Sequence, residues 1–293
     1  MIQKKSILYV LAAGILWGFM GLFVRTLNAH GFYTMEITGL RSLVAMILMG
    51  MFLLVYDRSL FRIKWKDLWC FIGTGIISLT FFNMCYFKAI TMTSLSVAAI
   101  LLYTAPSIVM VLSVLIFHEH FTRRKVLSLF LAFAGCVLVT GVLSDKEAVI
   151  SPLGIIIGLG SGLGYALYSI FARFALEKEY HSFTVTFYTL LTSALGTIFF
   201  LSPSKIALSV SSAPGIAIYI LFLGFFSTCL PYILYTTGLE KLESSKASII
   251  ASIEPVTATL LGIFLFREPL TGMGLFGVLM VLSSIIIVNS PKR

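Results

Sequence analysis

Two ionisable side chains, Glu254 and Arg41, lie well inside long apolar stretches of this sequence. Placing a charged side chain at the centre of a bilayer costs about 2.5–3.5 kcal/mol, so such residues usually serve a function. Pro255 follows Glu254 directly, and a proline removes one backbone hydrogen bond and bends a helix. Because backbone groups freed at membrane depth are tolerated where they line a cavity, the sequence predicts a solute or ion site around Glu254.

The chemistry expected of Glu254 is contact with the amino group of a substrate or with a coupled proton. An ionised carboxylate at this depth persists only beside a partner or beside water from a cavity. A proton and a cationic group would then compete for the same oxygens, which is the simplest form of exchange. The alternative is structural: Glu254 would bond to neighbouring hydroxyls or to the backbone that Pro255 frees.

Arg41 is a candidate charge partner for Glu254. With a rise of 1.5 Å per residue, each of the two charges lies roughly 11 Å from one end of its helix, on opposite sides. In a hydrocarbon core of roughly 30 Å this leaves a vertical gap of about 8 Å, which two extended side chains could bridge. The alternative for Arg41 is an anchoring role, with its guanidinium bound to carbonyl groups at a helix end.

Aromatic side chains complete the candidate binding site. Cavities for small organic solutes are mostly apolar with a few placed polar groups, and aromatic faces attract cations. This set suits an amine or a zwitterionic amino acid with an apolar side chain better than a sugar or a polyanion. Asn83, a polar residue in an apolar stretch, either lines the cavity or bonds one helix to another. Tyrosine is also common at membrane interfaces, which is the alternative for each tyrosine. The aromatic candidates are Trp17, Tyr86, Tyr103, Tyr165, Tyr168, Tyr232 and Tyr235.

The elements that must position these residues are membrane helices. The chain has 293 residues, of which 59% are apolar and 11% are charged. That composition is typical of a polytopic membrane protein, and the length allows about ten spans of roughly 20 residues each. The net charge of +9 does not indicate nucleic-acid binding, because the basic residues sit mostly in short loops. No cofactor or metal motif is present in the sequence.

The sequence is internally duplicated. The segment from Ser96 to Glu119 aligns with the segment from Ser245 to Glu268, and Pro106 falls on Pro255. Five spans per half is an odd number, so the second half enters the membrane from the opposite side. The predicted fold is therefore all-α, with ten transmembrane helices arranged as two inverted five-helix repeats, the arrangement that permits alternating access. The two prolines are expected to hinge the fourth helix of each half.

The first repeat is placed at residues 1–148 and the second at residues 149–293. Cytoplasmic loops carry an excess of lysine and arginine, and with the N-terminus inside, most basic residues fall on the inner side. Both termini are therefore expected in the cytoplasm, in a monomer that crosses the cytoplasmic membrane many times. The inner basic residues include Arg58, Lys64, Arg123 and Lys178, and the fewer outer ones include Lys146 and Lys205.

The chain resembles the EamA family, the ten-helix branch of the drug/metabolite transporter superfamily. The resemblance rests on LAAGILWGFMGLFVR around Trp17, on Arg41, and on CYFKAITMTSLSVAA followed by YTAP in the first half. In the second half it rests on ILYTTGLEKLESSKASII and on Glu254 with Pro255. The resemblance implies a central cavity lined by the first, third and fourth helices of each half. It also implies that the substrates are amino acids, metabolites or drug-like molecules, often exported.

We therefore expect a secondary transporter that moves small metabolites, amino acids or related amines, by alternating access in the export direction. The expected partners are the small-molecule substrate, the lipid bilayer and a coupled proton. One alternative is an exporter of multiple drugs or cationic compounds, and another is a membrane-embedded enzyme. The enzyme alternative is disfavoured because all four histidines sit in loops, which leaves no histidine base beside a nucleophile at depth.

Overall fold

The structure, a computed structural model, describes residues 2–142, 151–267 and 271–290. The predicted boundary between the repeats, Lys146 and Glu268 all lie outside the described residues. Within the described ranges every regular element is helical, and nine helical stretches are long and apolar enough to cross a membrane. In hydrocarbon the backbone N–H and C=O groups have no water to bond to, and a helix satisfies them with its own hydrogen bonds.

The first half of the chain folds into helices α1 to α8 within its described residues. They are α1 (Ile2–Gly18), α2 (Met20–Ala29), α3 (Thr34–Tyr56), α4 (Leu68–Ile72), α5 (Phe81–Met92), α6 (Leu95–Leu102), α7 (Ala105–Phe117) and α8 (Arg123–Val139). A π-helical segment, Gly73–Thr80, joins α4 to α5, and the short 3-10 helices Arg58–Phe61 and Trp65–Asp67 precede α4.

The second half repeats much of this order. Its helices are α9 (Pro152–Glu177), α10 (Ser182–Thr197), α11 (Pro203–Ser212), α12 (Gly215–Gly224), α13 (Leu230–Leu239), α14 (Ser244–Ala251), α15 (Ile253–Phe266) and α16 (Gly272–Asn289). A second π-helical segment, Phe225–Cys229, joins α12 to α13, and a 3-10 turn, Ile198–Phe200, ends the span that α10 begins.

Two elements depart from the predicted ten-span pattern. Nine described helical stretches are long and apolar enough to cross a membrane, and α8, with 17 residues, is not among them. Helix α11 occupies a connection that the sequence suggested to be a loop. Its residues Ile206 and Val210 pack against an apolar cluster that includes Phe23 and Ile220, and this burial stabilises the helix.

The fourth span of each half is broken just ahead of its proline. Helix α7 begins at Ala105, one residue before Pro106, and helix α15 begins at Ile253, two residues before Pro255. A proline has no N–H to donate to the preceding turn, so it is tolerated at the start of a helix and interrupts one that continues through it. Residues at the two breaks, among them Pro106 and Ser252, line a cavity described below.

The first span of each half packs against the third and fourth spans of the other half. Helix α1 lies against α13, α14 and α15, and helix α9 lies against α5, α6 and α7. Glycines permit the close approach. A Cβ added at Gly162 would stand 2.8 Å from the carbonyl oxygen of Leu101, and one added at Gly14 would stand 3.0 Å from the carbonyl oxygen of Ala251. Small residues at these crossings let the two backbones meet.

Candidate functional site

An aromatic cavity lies where α1, α5, α9 and α13 meet. The ring of Trp17 stands 5.3 Å from the rings of Tyr232 and Tyr235, centroid to centroid, and the ring of Tyr168 stands 5.0 Å from that of Tyr232. The empty space among these side chains, which includes open solvent, is about 280 Å³. Its lining is Trp17, Ser78, Leu79, Phe82, Tyr165, Tyr168, Ser169, Tyr232 and Tyr235.

Hydrogen bonds between the spans hold these rings in place. The hydroxyl of Tyr168 lies 2.6 Å from that of Thr236, and the hydroxyl of Ser169 lies 2.7 Å from that of Tyr235. The indole Nε1 of Trp17 is different: it is buried and has no hydrogen-bond acceptor among the described residues. A buried donor without an acceptor is costly.

A second cavity, the carboxylate cavity, lies beside the first. The Tyr165 hydroxyl donates a hydrogen bond to Oε2 of Glu254 over 3.2 Å. Tyr165 lines both cavities, so its ring stands between the aromatic rings and the carboxylate. The empty volume of the carboxylate cavity is about 230 Å³. Its lining is Leu102, Tyr103, Ala105, Pro106, Tyr165, Ser248, Ala251, Ser252 and Glu254.

The break in the eighth crossing stretch explains how Glu254 can occupy this position. Helix α14 ends at Ala251, and Glu254 falls in the first turn of α15. The free N–H groups and the dipole at a helix N-terminus favour a negative charge, typically by 0.3–1 kcal/mol. The start of α15 and the hydroxyl of Tyr165 therefore stabilise the carboxylate of Glu254. The residue is only partly buried, and it lines the carboxylate cavity.

Arg41, on α3, is 3% exposed and is not among the residues that line either cavity. Its Nη1 donates to the sulfur of Met20 over 2.9 Å, and its Nη2 donates to Oδ1 of Asn83 over 3.3 Å. Asn83 in turn donates to the carbonyl oxygen of Leu79 over 2.6 Å, which fixes the amide. These partners are side chains, so the alternative in which Arg41 anchors helix-end carbonyls is not what the structure shows.

The direct pair between Arg41 and Glu254 is not made in this structure. Within the described ranges, no carboxylate lies within 4.0 Å of the guanidinium, although the two charges act on each other electrostatically. Glu254 has a neighbouring hydroxyl as its partner, as the structural alternative for it expects. The two charges are therefore a buried guanidinium and a partly buried carboxylate, and the described hydrogen-bond partners of both are neutral.

The sequence-predicted residues divide among three places. Five of the seven aromatic candidates line the aromatic cavity, and Tyr103 and Pro106 line the carboxylate cavity with Glu254. Tyr86 lies outside both, with its ring 6.0 Å from that of Phe82. Asn83 also lies outside both lining sets and contacts Arg41 instead.

Several lining residues were missed at the sequence level. Ser78, whose hydroxyl donates to the carbonyl oxygen of Gly164 over 2.7 Å, lies in a π-helical segment that no sequence pattern announced. The usable signal was the presence of small hydroxyl residues within apolar spans. The missed lining residues with hydroxyls are Ser78, Ser169, Ser248 and Ser252.

A cluster of charges closes the end of the molecule that is predicted to face the cytoplasm. The carboxylate of Glu119, just past α7, accepts hydrogen bonds from the backbone N–H of Ser244 over 2.6 Å and of Ser245 over 3.3 Å. Lys125 lies 3.4 Å from Glu119 and 2.6 Å from Glu243. The fourth span of the first half is thereby attached to the start of α14 in the second half.

A further ion pair joins the two halves at the same end. Lys178 lies 2.7 Å from Asp67, and the Tyr180 hydroxyl donates to the other oxygen of Asp67 over 2.9 Å. The hydrogen bond to Asp67 raises the pKa of Lys178, so the ammonium group stays charged at neutral pH. The ion pair would be lost as the pH rises through that raised pKa, and also as the pH falls through the pKa of Asp67, which its hydrogen bonds with Lys178 and Tyr180 lower.

Comparisons with known proteins agree with this architecture. The profile of the EamA-like transporter family matches residues 4–141 and again residues 152–290. An uncharacterized transporter of Archaeoglobus fulgidus is 30% identical over 283 residues, which cover 95% of this chain and 94% of the relative. The uncharacterized transporter YwfM of Bacillus subtilis is 24% identical, with 98% of this chain and 94% of the relative covered.

A solved crystal structure shares the fold. It superposes with a TM-score of 0.81 over 98% of this chain and 96% of the other, at 17% identity, so the likeness concerns the fold alone. The two family matches account for both halves of the sequence, and the relatives, being named transporters, point to transport rather than catalysis. This multi-pass membrane protein therefore belongs to the EamA-like transporter family.

Proposed function

We propose that the protein is a secondary transporter that exports small amine-bearing metabolites, amino acids or related amines, across the cytoplasmic membrane by alternating access. Glu254 is the site at which the substrate ammonium group and a coupled proton compete. The aromatic cavity holds the apolar part of the substrate, and both termini face the cytoplasm. The direction of transport rests on the family resemblance.

The observation that carries this proposal is the environment of Glu254. Among the described residues its carboxylate has one hydrogen-bond partner, the neutral hydroxyl of Tyr165, and no ion-pair partner. Tyr165 also borders a cavity walled by Trp17 and Tyr232. A carboxylate next to electron-rich ring faces is the combination that binds an organic ammonium group, because both attract positive charge.

The ten-span inverted repeat belongs to the same proposal. We take α8 as the tenth span, since its 17 residues reach about 26 Å at 1.5 Å per residue. Its neighbour is α16, and a Cβ added at Gly135 of α8 would stand 2.8 Å from the carbonyl oxygen of Gly277. The reciprocal packing of α1 and α9 against opposite halves supports a two-fold relation between the repeats, placed at residues 1–148 and 149–293.

Alternating access requires that one end of the molecule be closed while the other is open. Glu119 binds the first two amides of α14, and Lys178 binds Asp67, so both contacts join the halves at one end. These contacts support a conformation closed towards the cytoplasm. Breaking them, with bending at Pro106 and Pro255, would open that end for the substrate.

An exporter of organic cations is the second candidate, because a carboxylate among aromatic rings also suits a bulky cation without a carboxylate. The two candidates differ in the substrate they accept. Phenylalanine and phenethylamine carry a primary ammonium group, whereas tetraphenylphosphonium carries a delocalised charge and fits a larger cavity.

The test is transport by purified protein in proteoliposomes, with phenylalanine, phenethylamine and tetraphenylphosphonium as labelled solutes. We expect Glu254→Gln to abolish transport of the primary amines, or its pH dependence, while the yield of folded protein is kept. In the unaltered protein, the apparent affinity for these amines should weaken as the pH falls, because a neutral carboxyl group binds a cation poorly. In Glu254→Gln that pH dependence should be absent.

Glu177→Gln is the matched control, since the Glu177 side chain is 47% exposed and pairs with Arg173 at the surface. It should transport like the unaltered protein. Unchanged transport by Glu254→Gln at every pH would refute the role of Glu254. If the protein transports tetraphenylphosphonium but neither phenylalanine nor phenethylamine, the result would favour the exporter of organic cations.

A further inference from the structure

The connection between α3 and α4 carries a dense group of basic side chains. It follows the end of α3 at Tyr56 and leads to the start of α4 at Leu68. Between Asp57 and Lys66 four basic side chains are exposed, and Asp57 is the only acidic residue. These four residues form the basic group, which consists of Arg58, Arg62, Lys64 and Lys66.

The basic group has no close counter-ion within the chain. In the ranges that the structure describes, no carboxylate lies within 4.0 Å of any of its four cationic groups. The Asp57 carboxylate accepts a hydrogen bond from the backbone N–H of Ser59 and acts on Arg62 only at longer range. Asp67, the next acidic residue, is buried and paired with Lys178. The four positive charges are therefore open to an anion from outside the chain.

An exposed tryptophan lies within the basic group. Trp65, between Lys64 and Lys66, is 87% exposed, and it begins the third crossing stretch. Tryptophan is enriched where lipid headgroups meet the acyl chains, because its ring is apolar and its N–H is polar. Trp69, four residues further on, packs its ring against that of Phe174 with the centroids 5.2 Å apart. The position of Trp65 at the end of a crossing stretch thus indicates that the basic group lies at the level of the headgroups.

The backbone of this connection is fixed by the second half of the chain. The Tyr188 hydroxyl donates to the carbonyl oxygen of Phe61 over 2.7 Å, and the backbone N–H of Lys64 donates to the Tyr180 hydroxyl over 2.9 Å. The bonds to the second half therefore use backbone atoms and leave the basic side chains free. Cations on a backbone that is already ordered lose less conformational entropy on binding than cations on a flexible tail.

We propose that this connection binds the headgroup of an anionic phospholipid, with the basic group on the phosphate and Trp65 at the top of the acyl chains. Four or more basic side chains directly beside a crossing helix attract anionic lipid, and each contributes about a fivefold gain in affinity. A lipid suits the surface better than a soluble phosphate, since only a lipid also covers the exposed ring of Trp65. The proposal is independent of the transported substrate and of Glu254.

The test measures binding of phosphatidylglycerol to the purified full-length protein in a neutral detergent. The lipid carries a fluorophore on an acyl chain, and its fluorescence anisotropy is followed as protein is added. Phosphatidylcholine with the same label, which has no net charge, is the reference lipid. We expect the protein to bind phosphatidylglycerol about tenfold or more tighter than phosphatidylcholine at low salt. The preference should shrink as added salt screens the charges.

One variant removes the basic group by combining Arg58→Gln, Arg62→Gln, Lys64→Gln and Lys66→Gln, and it should lose the preference for phosphatidylglycerol. Its matched control makes the same change in net charge at other exposed basic residues of the end predicted to face the cytoplasm, and it should keep the preference. The control combines Lys4→Gln, Lys5→Gln, Arg123→Gln and Lys241→Gln.

Trp65→Ala changes no charge and gives a result even if the variant without the basic group fails to fold. It should weaken binding of phosphatidylglycerol several-fold, because the apolar contact is lost. Phe199→Ala is its control, since Phe199 is also an exposed aromatic residue but lies far from the connection in the sequence. The control should bind phosphatidylglycerol like the unaltered protein.

Four results would overturn the proposal. The first is equal affinity of the unaltered protein for the two lipids. The second is equal loss of the preference in the variant without the basic group and in its matched control, because overall charge would then explain the attraction. The third is unchanged binding of phosphatidylglycerol by Trp65→Ala. The fourth is displacement of the labelled lipid by glycerol 3-phosphate as readily as by unlabelled phosphatidylglycerol, which would indicate a site for soluble phosphate.

Discussion

The carboxylate of Glu119 accepts a hydrogen bond from the backbone N–H of Ser244 over 2.6 Å, across the boundary between the two halves. It also binds the N–H and the hydroxyl of Ser245, so one side chain from the first half caps a helix in the second. Capping by a carboxylate satisfies N–H groups that a helix start leaves without intrahelical partners. The contact can therefore be broken without unfolding either half, which is what a conformational latch requires.

Glu119→Gln should weaken this latch and open the predicted cytoplasmic end. Hydrogen bonds to a charged group contribute about 1.5–3 kcal/mol, so the equilibrium should shift roughly ten- to hundredfold towards the open form. The measurement is the rate at which a cysteine at Ser248, which lines the carboxylate cavity, reacts with a maleimide from the cytoplasmic side, with the four native cysteines replaced. The rate should rise in Glu119→Gln and stay unchanged in Glu177→Gln. Equal rates in all three proteins would contradict the latch.

Pro106→Ala and Pro255→Ala should slow transport several-fold while changing substrate affinity little. Each proline lies at the start of the second helix of its span, where the break allows one part to move relative to the other. An alanine can restore the missing hydrogen bond and stiffen the span. Initial transport rates and equilibrium binding should be measured in parallel. Pro203→Ala, at the start of the exposed helix α11, is the control, and turnover at the control level in both span variants would exclude a hinge.

Gly162→Ala should destabilise the protein, whereas Gly160→Ala, two residues away on α9, should not. A Cβ at Gly162 would stand 2.8 Å from the carbonyl oxygen of Leu101, but one at Gly160 would meet nothing closer than 3.4 Å. Overpacking of this kind typically costs 1–3 kcal/mol, while alanine is a better helix former than glycine at an open position by up to about 1 kcal/mol. Thermal unfolding of both variants in detergent measures the difference. A lower unfolding temperature for Gly160→Ala would count against this packing account.

A thiol reagent that cannot cross the membrane should label introduced cysteines only on the outer face of intact cells, and so should show on which side each position lies. His30 follows the first span of the first half, Glu177 ends the first span of the second half, and inverted repeats place them on opposite sides of the membrane. A cysteine at His30 or at Ser211 should react from outside, and a cysteine at Glu177 or at Lys66 should not. Reaction of His30 and Glu177 from the same side would refute inversion, and a fully reversed pattern would refute the orientation.

Much of the helix pattern follows from the sequence because apolar length alone decides whether a segment can cross a bilayer. Helix α3 begins at Thr34, because Tyr33 precedes it in extended conformation and the Glu36 carboxylate accepts a hydrogen bond from the Tyr33 N–H. Helix α11 was not predicted, because its stability comes from Ile206 and Val210, which pack against a cluster that includes residues far away in the sequence, such as Phe23. Local sequence carries little information about such a contact.

The candidate site could be predicted only in part, for a related reason. A charge in an apolar stretch is visible in the sequence, so Glu254 and Arg41 stood out. Their partners are set by tertiary packing between spans far apart in the chain: Tyr165 for Glu254, and Met20 with Asn83 for Arg41. Vertical depth estimated from helix rise gives no information about rotation about the helix axis, and rotation decides which side chains meet.

The two π-helical segments, Gly73–Thr80 and Phe225–Cys229, also bear on the history of the molecule. Each lies in the middle of the third span of its half and ends where an α-helix resumes. A π-helical turn accommodates an extra residue within a helix. Because both halves carry this distortion in the third span, we infer that it goes back to the unit that was duplicated. Glu254 has alanine, Ala105, at the matching place in the first half, so the carboxylate distinguishes the copies. The distortion of the scaffold is thus older than the asymmetry that gives the cavity its chemistry.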